Sequence, residues 1–330
     1  MNRLFAGILG TALTVSAVAA AEKPVSVKPA SIAAGTDSAE DKELEQVMAD
    51  DDAALAEVDQ WIQHNNELAA KGARGSDAEL NRRIRAKIDV VRQRYQDFLH
   101  RHPDSADGHL AYGTFLNDTG NEDLAVVEYE MSRKLNPTNP AVWNNLGNYY
   151  GEASPVTNAF ADYTRAIELD PKEPVYYQNF ATTVYLYRKD AKEFYHINES
   201  QVFDKALDLY RQAIRLDPTN FTLATDYAES YYGIKPLRTN DALMSWTNAM
   251  TIARDELERE GVHIHLARWK MIFGRYQEAR GHLDAVTNAF YEKMKNRVQR
   301  TLEQREHPGT NDVIAVTNPP VLTNAAPPAK

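Results

Sequence analysis

The 330-residue chain contains no cysteine. Disulfides, thiolate metal sites, thiol nucleophiles and a lipid-modified cysteine at a mature N-terminus are thereby excluded. It also lacks an excess of positive charge. Lys and Arg number 37 against 47 Asp and Glu, a formal net charge of −10, which argues against nucleic acid or an anionic membrane surface as principal partner. No G-x-S-x-G elbow, Walker phosphate loop, H-E-x-x-H pair or G-x-G-x-x-G turn occurs, and alternating strand patterns are missing as well. Histidine is sparse and poorly spaced for metal. His263 and His265 lie two apart, about 200° around a helix, and Glu193-x-x-His196 has no second copy to complete a di-metal set. Asp50-Asp51-Asp52 lacks the spacing and glycine of a calcium loop and reads as a solvated helix face. The expectation is a non-catalytic protein with no cofactor and no metal.

Only the first residues form an apolar run. Arg3 is followed by an uncharged stretch from Leu4 to Val18, and Ala17-Val18-Ala19 and Ala19-Ala20-Ala21 supply small-x-small cleavage patterns. The run of about 15 residues falls short of the roughly 20 that span a bilayer. Residues 1–21 therefore read as a signal peptide cleaved after Ala19 or Ala21, which predicts a periplasmic or secreted protein without stable membrane insertion. Residues 22–39 mix Pro, Ser, Ala, Gly and Val without periodicity and read as a flexible linker. Residues 307–330 hold five of the fifteen prolines and few large apolar groups, so they read as a disordered tail.

What is present is a repeat. Trp143, Leu146, Gly147, Tyr150, Ala159, Tyr163, Ala166 and Pro171 recur 34 residues upstream as His109, Tyr112-Gly113, Leu116, Ala125, Tyr129, Ser132 and Pro137. A further step back lands on Pro103, preceded by Val91, Tyr95 and Phe98. Small residues at Gly147, Ala159 and Ala166 suit the closest approach of two helices, with large residues filling around them and proline closing the second helix. The pattern resembles the tetratricopeptide repeat, a 34-residue helix–turn–helix unit, and Trp143 to Pro171 matches all eight of its signature offsets. The resemblance implies an all-α, right-handed superhelical solenoid.

Later units depart from the pattern. The third runs from Tyr177 through Phe180, Ala181 and Val184 to Ala206, Tyr210, Ala213 and Pro218, with 13 extra residues between its helices. In that insertion, Lys189 to Tyr195 can extend the first helix and put Phe194 and Tyr195 at the solenoid edge, as a packed strut or a binding element. Asn198-x-x-Gln201 has the form of a capping box for the second helix. A fourth unit spans Ala224 to Ala249, and a fifth is marked by the turn at 274–279, after which the apolar pattern continues to Leu302 as one long terminal helix. Upstream, 40–101 reads as a degenerate repeat or cap: an acidic helix on Leu44, Met48, Leu55, Val58 and Ile62, then an Arg-rich one on Leu80, Ile84, Ile88, Val91, Tyr95 and Phe98. The solenoid with its capping helix then occupies 102–306.

In such solenoids the first helices of successive repeats line a concave groove. The resemblance implies a peptide-binding set of Asn117, Asn144, Asn148, Gln178, Tyr185, Glu229, Tyr232 and Arg268, whose amides and phenols suit an extended main chain. The clamp that the family uses for a cytosolic chaperone's terminal carboxylate is not reproduced, since Leu110 and Val175 stand where it places lysine. The functional expectation is a protein-interaction scaffold or adaptor holding a protein or peptide. Two alternatives are an accessory substrate-binding subunit of an envelope enzyme complex and a structural assembly factor without a groove ligand.

Overall fold

The computed structural model describes residues 25–29, 38–72, 77–152 and 155–307. The expected signal peptide at 1–21 and the tail beyond His307 lie outside the described residues. Fourteen α-helices and no strand occur among the described residues, and the chain divides into two compact units, 1–252 and 253–330.

The first unit begins with an antiparallel hairpin of α1 (Ala39–Ala70) and α2 (Asp77–Arg101). Ser38 and Asp41 form a reciprocal capping box at the start of α1. The acidic face of α1 meets the basic α2 through Arg94–Asp50, Arg101–Glu43 and Lys87–Glu57 ion pairs. Helix pairs then follow in order: α3 (Ala106–Asp118) with α4 (Glu122–Leu135), and α5 (Pro140–Glu152) with α6 (Thr157–Leu169). Next come α7 (Pro174–Leu186), the inserted α8 (Arg188–Tyr195) and α9 (Glu199–Leu216), then α10 (Phe221–Ser230) and α11 (Thr239–Ile252).

Three second helices stop in the same way. Asn136, Asp170 and Asp217, each preceding a proline, adopt φ/ψ of −135/84, −138/92 and −132/82. Steric conflict with the following proline ring excludes the helical region there, so the chain turns out and starts the next repeat. The pairs are sealed by a column of buried phenols, Tyr95, Tyr129 and Tyr163, spaced by 34, with Tyr210 continuing it after the insertion. Glycine is needed opposite two of them. A Cβ on Gly113 would lie 2.7 Å from the Tyr129 ring, and one on Gly147 would lie 2.8 Å from Tyr163.

The insertion differs from the expected helical extension. Helix α7 ends at Leu186, Tyr187 breaks it, and α8 is a separate two-turn helix ending on His196 in the left-handed region. Its Ala191 is buried, and Phe194 and Tyr195 set their rings 5.4 and 5.6 Å from Phe160. The element is a packed strut. Asn198 and Gln201 then cap α9 reciprocally.

The second unit holds α12 (Glu256–Ile272), α13 (Tyr276–Asp284) and α14 (Glu292–Glu306). The single terminal helix expected from the apolar pattern is therefore two. The break follows from Glu260, a buried carboxylate on α12 that accepts from Thr287 Oγ1 at 2.9 Å and from the Asn288 amide at 2.7 Å. Holding those two residues in place pulls the chain out of helix. His263 faces His282 across α12 and α13, with their Nδ1 atoms 2.9 Å apart.

Candidate peptide groove of the first unit

Helices α3, α5 and α7 are the first helices of three consecutive repeats, and their polar side chains converge on an extended piece of the same chain. Val25–Pro29 belongs to the segment read as a linker, yet it lies along these helices in a regular hydrogen-bond pattern.

Two asparagines carry the pattern. The Val27 amide donates to Asn145 Oδ1 at 2.8 Å, and Asn145 Nδ2 returns a bond to the Val27 carbonyl at 2.9 Å. The Val25 amide donates to Asn179 Oδ1 at 2.9 Å, and Asn179 Nδ2 donates to the Val25 carbonyl at 2.8 Å. A side-chain amide offers one carbonyl and one N–H group, so each asparagine reproduces the pair of bonds that an opposed residue makes in an antiparallel sheet. Asn145 and Asn179 are 34 apart. The segment thus runs opposite to the order of the repeats, two residues for each repeat.

The remaining contacts surround this pair. Asn144 Nδ2 and Asn148 Nδ2 also donate to the Val25 carbonyl, at 3.2 and 3.0 Å, and Asn117 Nδ2 donates to Ser26 Oγ at 3.0 Å. Tyr163 Oη donates to Asn148 Oδ1 at 2.9 Å, which turns the Asn148 amide so that its N–H groups face Val25. Asn144, Asn145, Asn148 and Asn179 are all buried, so leaving any of these amides unpaired costs free energy.

At the far end Lys28 Nζ lies 2.7 Å from Asp51 Oδ2 and 2.8 Å from Asp52 Oδ1. Asp51 is fully buried on α1 and also accepts from Tyr95 Oη at 3.0 Å. Burial alone would lower the Lys28 ammonium, but the Asp51 and Asp52 carboxylates outweigh it and hold it above its ordinary value. Burial raises the Asp51 carboxyl, with Lys28 opposing. Burial likewise pushes the nearby Asp118 to about 6, again opposed by Lys28.

Of the residues expected from sequence to line a groove, Asn117, Asn144 and Asn148 contact the extended segment. Gln178 instead donates to Asp226 of α10 at 2.8 Å, and the Tyr185 ring lies tilted 5.9 Å from Phe203, so both join α7 to its neighbours. Glu229 and Tyr232 are half-buried on α10 and the 3₁₀ turn that follows it, and Arg268 belongs to the second unit. Asn145 and Asn179 lie one place beyond the groove-facing offsets, and their 34-residue spacing is the only mark they leave in the sequence. Asp51, expected on a solvated helix face, is buried. It falls in the apolar stripe of α1, with Leu44, Val47, Ala54 and Val58, where a carboxylate signals a buried partner.

Stacked helix pairs of 34-residue period, closed by pre-proline turns and sealed by tyrosine against glycine or alanine, define an all-α repeat solenoid with the tetratricopeptide-repeat fold. Among solved structures, PilF of Pseudomonas aeruginosa aligns with 76% of this chain and 98% of its own at TM-score 0.50 and 16% identity. The C-terminal part of a TPR repeat-containing protein from Cytophaga hutchinsonii aligns over 75% and 96% at TM-score 0.48 and 14% identity. YrrB, another TPR protein, aligns over 63% and 97% at TM-score 0.47 and 11% identity. No family model and no curated protein matches the sequence.

Proposed function

We propose that this chain is a non-catalytic protein-interaction scaffold of the periplasm or cell exterior, which holds an extended segment of a partner protein in the groove of its first unit. One observation carries the reading: Asn145 and Asn179, one repeat apart, each pair with both main-chain groups of alternate residues in an extended segment. Such bonding reads backbone and leaves side-chain choice to the flanking positions. The location rests on the apolar, small-x-small start of the sequence.

The test is affinity capture from the native envelope with the exported chain and with its Asn145→Ala/Asn179→Ala variant, followed by mass spectrometry. The expected result is a partner retained by the first and lost at least tenfold by the second while its circular dichroism is unchanged. Equal recovery by a folded double variant overturns the groove. Intact-mass measurement should show loss of 19 or 21 residues, and a full-length membrane-bound form overturns the location.

A further inference from the structure

A carboxylate set in the apolar stripe of a helix is costly unless a cation meets it. The cation that meets Asp51 is Lys28, 23 residues upstream on the extended segment. Tyr95 supports the same oxygen from below, Asp52 closes the outer side, and Asp51 Oδ1 has no hydrogen-bond partner among the described residues. The site is therefore built around an ammonium group at one defined position, one residue beyond the Val27 pair with Asn145. Between the two asparagine pairs, Asn117 bonds to the hydroxyl of Ser26.

We propose that the groove is a lysine-reading site for extended segments of the pattern small hydroxyl residue, any residue, lysine, and that the chain's own Val25–Pro29 is its tethered occupant, which a partner segment of the same chemistry displaces. This rests on the groove function proposed above and names its ligand class. The asparagine pairs bind any extended chain, so selection falls to Asn117 and above all to the Asp51 pocket.

Tethering within one chain is consistent with the lengths. Lys28 sits against Asp51, which lies 13 residues, or about 20 Å, along α1 from Ser38. The nine steps from Pro29 to Ser38 can reach about 30 Å. A short tether supplies an effective concentration on the order of millimolar, so a segment with a free affinity of about 50 µM stays in place about twenty to one. External ligands are weakened by that factor.

The test uses the full exported chain and its V25P/V27P/K28A variant, which removes two clamped N–H donors and the ammonium but no groove residue. The probe is a fluorescein-labelled synthetic peptide of residues 22–31, with a second peptide carrying Lys28→Ala. The first peptide should bind the variant at least tenfold tighter than the parent chain. The Lys28→Ala peptide should bind the variant at least tenfold more weakly than the first, and adding Asp51→Asn should abolish that preference. Should the triple variant fail to fold, Lys28→Ala alone should give at least a threefold gain in the same direction. Equal binding to parent and variant overturns the tethered occupant. Equal binding of the two peptides overturns the lysine site while the groove reading stands, and no binding to a folded variant overturns both. A dimer of the parent chain at micromolar concentration that V25P/V27P/K28A abolishes would replace the tethered occupant with a segment from a second copy.

Discussion

Replacing Lys28 by Met tests whether the extended segment is docked as described, because Met keeps most of the aliphatic stem and deletes only the charge. The lost ammonium lies 2.7 Å from a carboxylate whose side chain is 0% exposed, while Lys28 itself is 22% exposed. Removing one member of a buried pair costs about 3–5 kcal/mol. Water reaches Lys28 and the docked segment is favoured only about twenty to one, so about 1–2 kcal/mol at pH 8 is the reasonable scale. Asp52, at 64% exposure, adds little. The pH dependence is the sharper signature. Asp51 already sits above the ordinary carboxylate range through burial, with Lys28 pulling it down, and without Lys28 it rises further. A carboxyl group raised in the folded state gives stability that is complete below its unfolded pKa, about 3.9, and is lost as pH climbs through the folded value. The difference between parent and Lys28→Met should therefore be small near pH 4 and grow towards pH 8. Urea unfolding at pH 4, 6 and 8 measures it, with amide exchange at Val27 reporting the Asn145 bond. Lys28→Met/Asp51→Asn should recover most of the loss. A Lys28→Met chain within about 0.5 kcal/mol of the parent at pH 8, or a loss that does not vary with pH, would refute the reasoning.

Gly147→Ala places a Cβ 2.8 Å from the Tyr163 ring, so overpacking of about 1–3 kcal/mol should outweigh a helix-propensity gain of about 1 kcal/mol and lower the melting temperature. Gly281→Ala on α13, with open space around it, should instead stabilise by about 0.5–1 kcal/mol, and equal melting shifts in the two variants would contradict the packing described. Burial raises the Asp162 carboxyl to about 7 against the opposing pull of Arg133. Stability should then fall as pH rises from 4 to 7, and Asp162→Asn should flatten that slope in urea titrations and gain about 2 kcal/mol at pH 8. Deleting 189–197 removes Phe194 and Tyr195 from Phe160, so it should cost about 2–4 kcal/mol in thermal or urea unfolding. An unchanged melt would make α8 an appendage.

Period and closing prolines made the helix pairs legible, because a 34-residue repeat states which faces must meet before any contact is known. Irregularities were harder to read. The apolar stripe after Tyr276 runs through a break that Glu260 imposes from another helix, and periodicity carries no trace of such a non-local bond. Tyr187 interrupts α7 although its neighbours suit a helix. The groove was half visible. Asn117, Asn144 and Asn148 follow from repeat offsets, but a backbone-binding asparagine one place along, at 145 or 179, changes which face it presents, and offsets alone do not register it. The extended segment carries no periodicity, since its order comes wholly from the side chains it touches. For the same reason Asn148 is not an ordinary surface position. It is buried and bonded to Tyr163 and Val25, so truncating it costs stability of the order of a lost buried hydrogen bond, about 1–3 kcal/mol.

The column of phenols has a consequence for how such a groove could change or be transplanted. Tyr163 fills the seam beside Gly147 with its ring and holds Asn148 with its hydroxyl, while Tyr95 fills the hairpin seam and supports Asp51. Tyr210 does the same for Thr182, at 2.8 Å. One side chain thus serves both the architecture and the recognition surface. Moving Asn148 alone onto another solenoid would import an amide without the donor that orients it, whereas exchanging Tyr163 for Phe within this one would spare the seam and loosen the groove. Sequence drift at these positions is constrained twice, and ligand preference can diverge freely only through residues that lie off the column, such as Asn117 and Asp52.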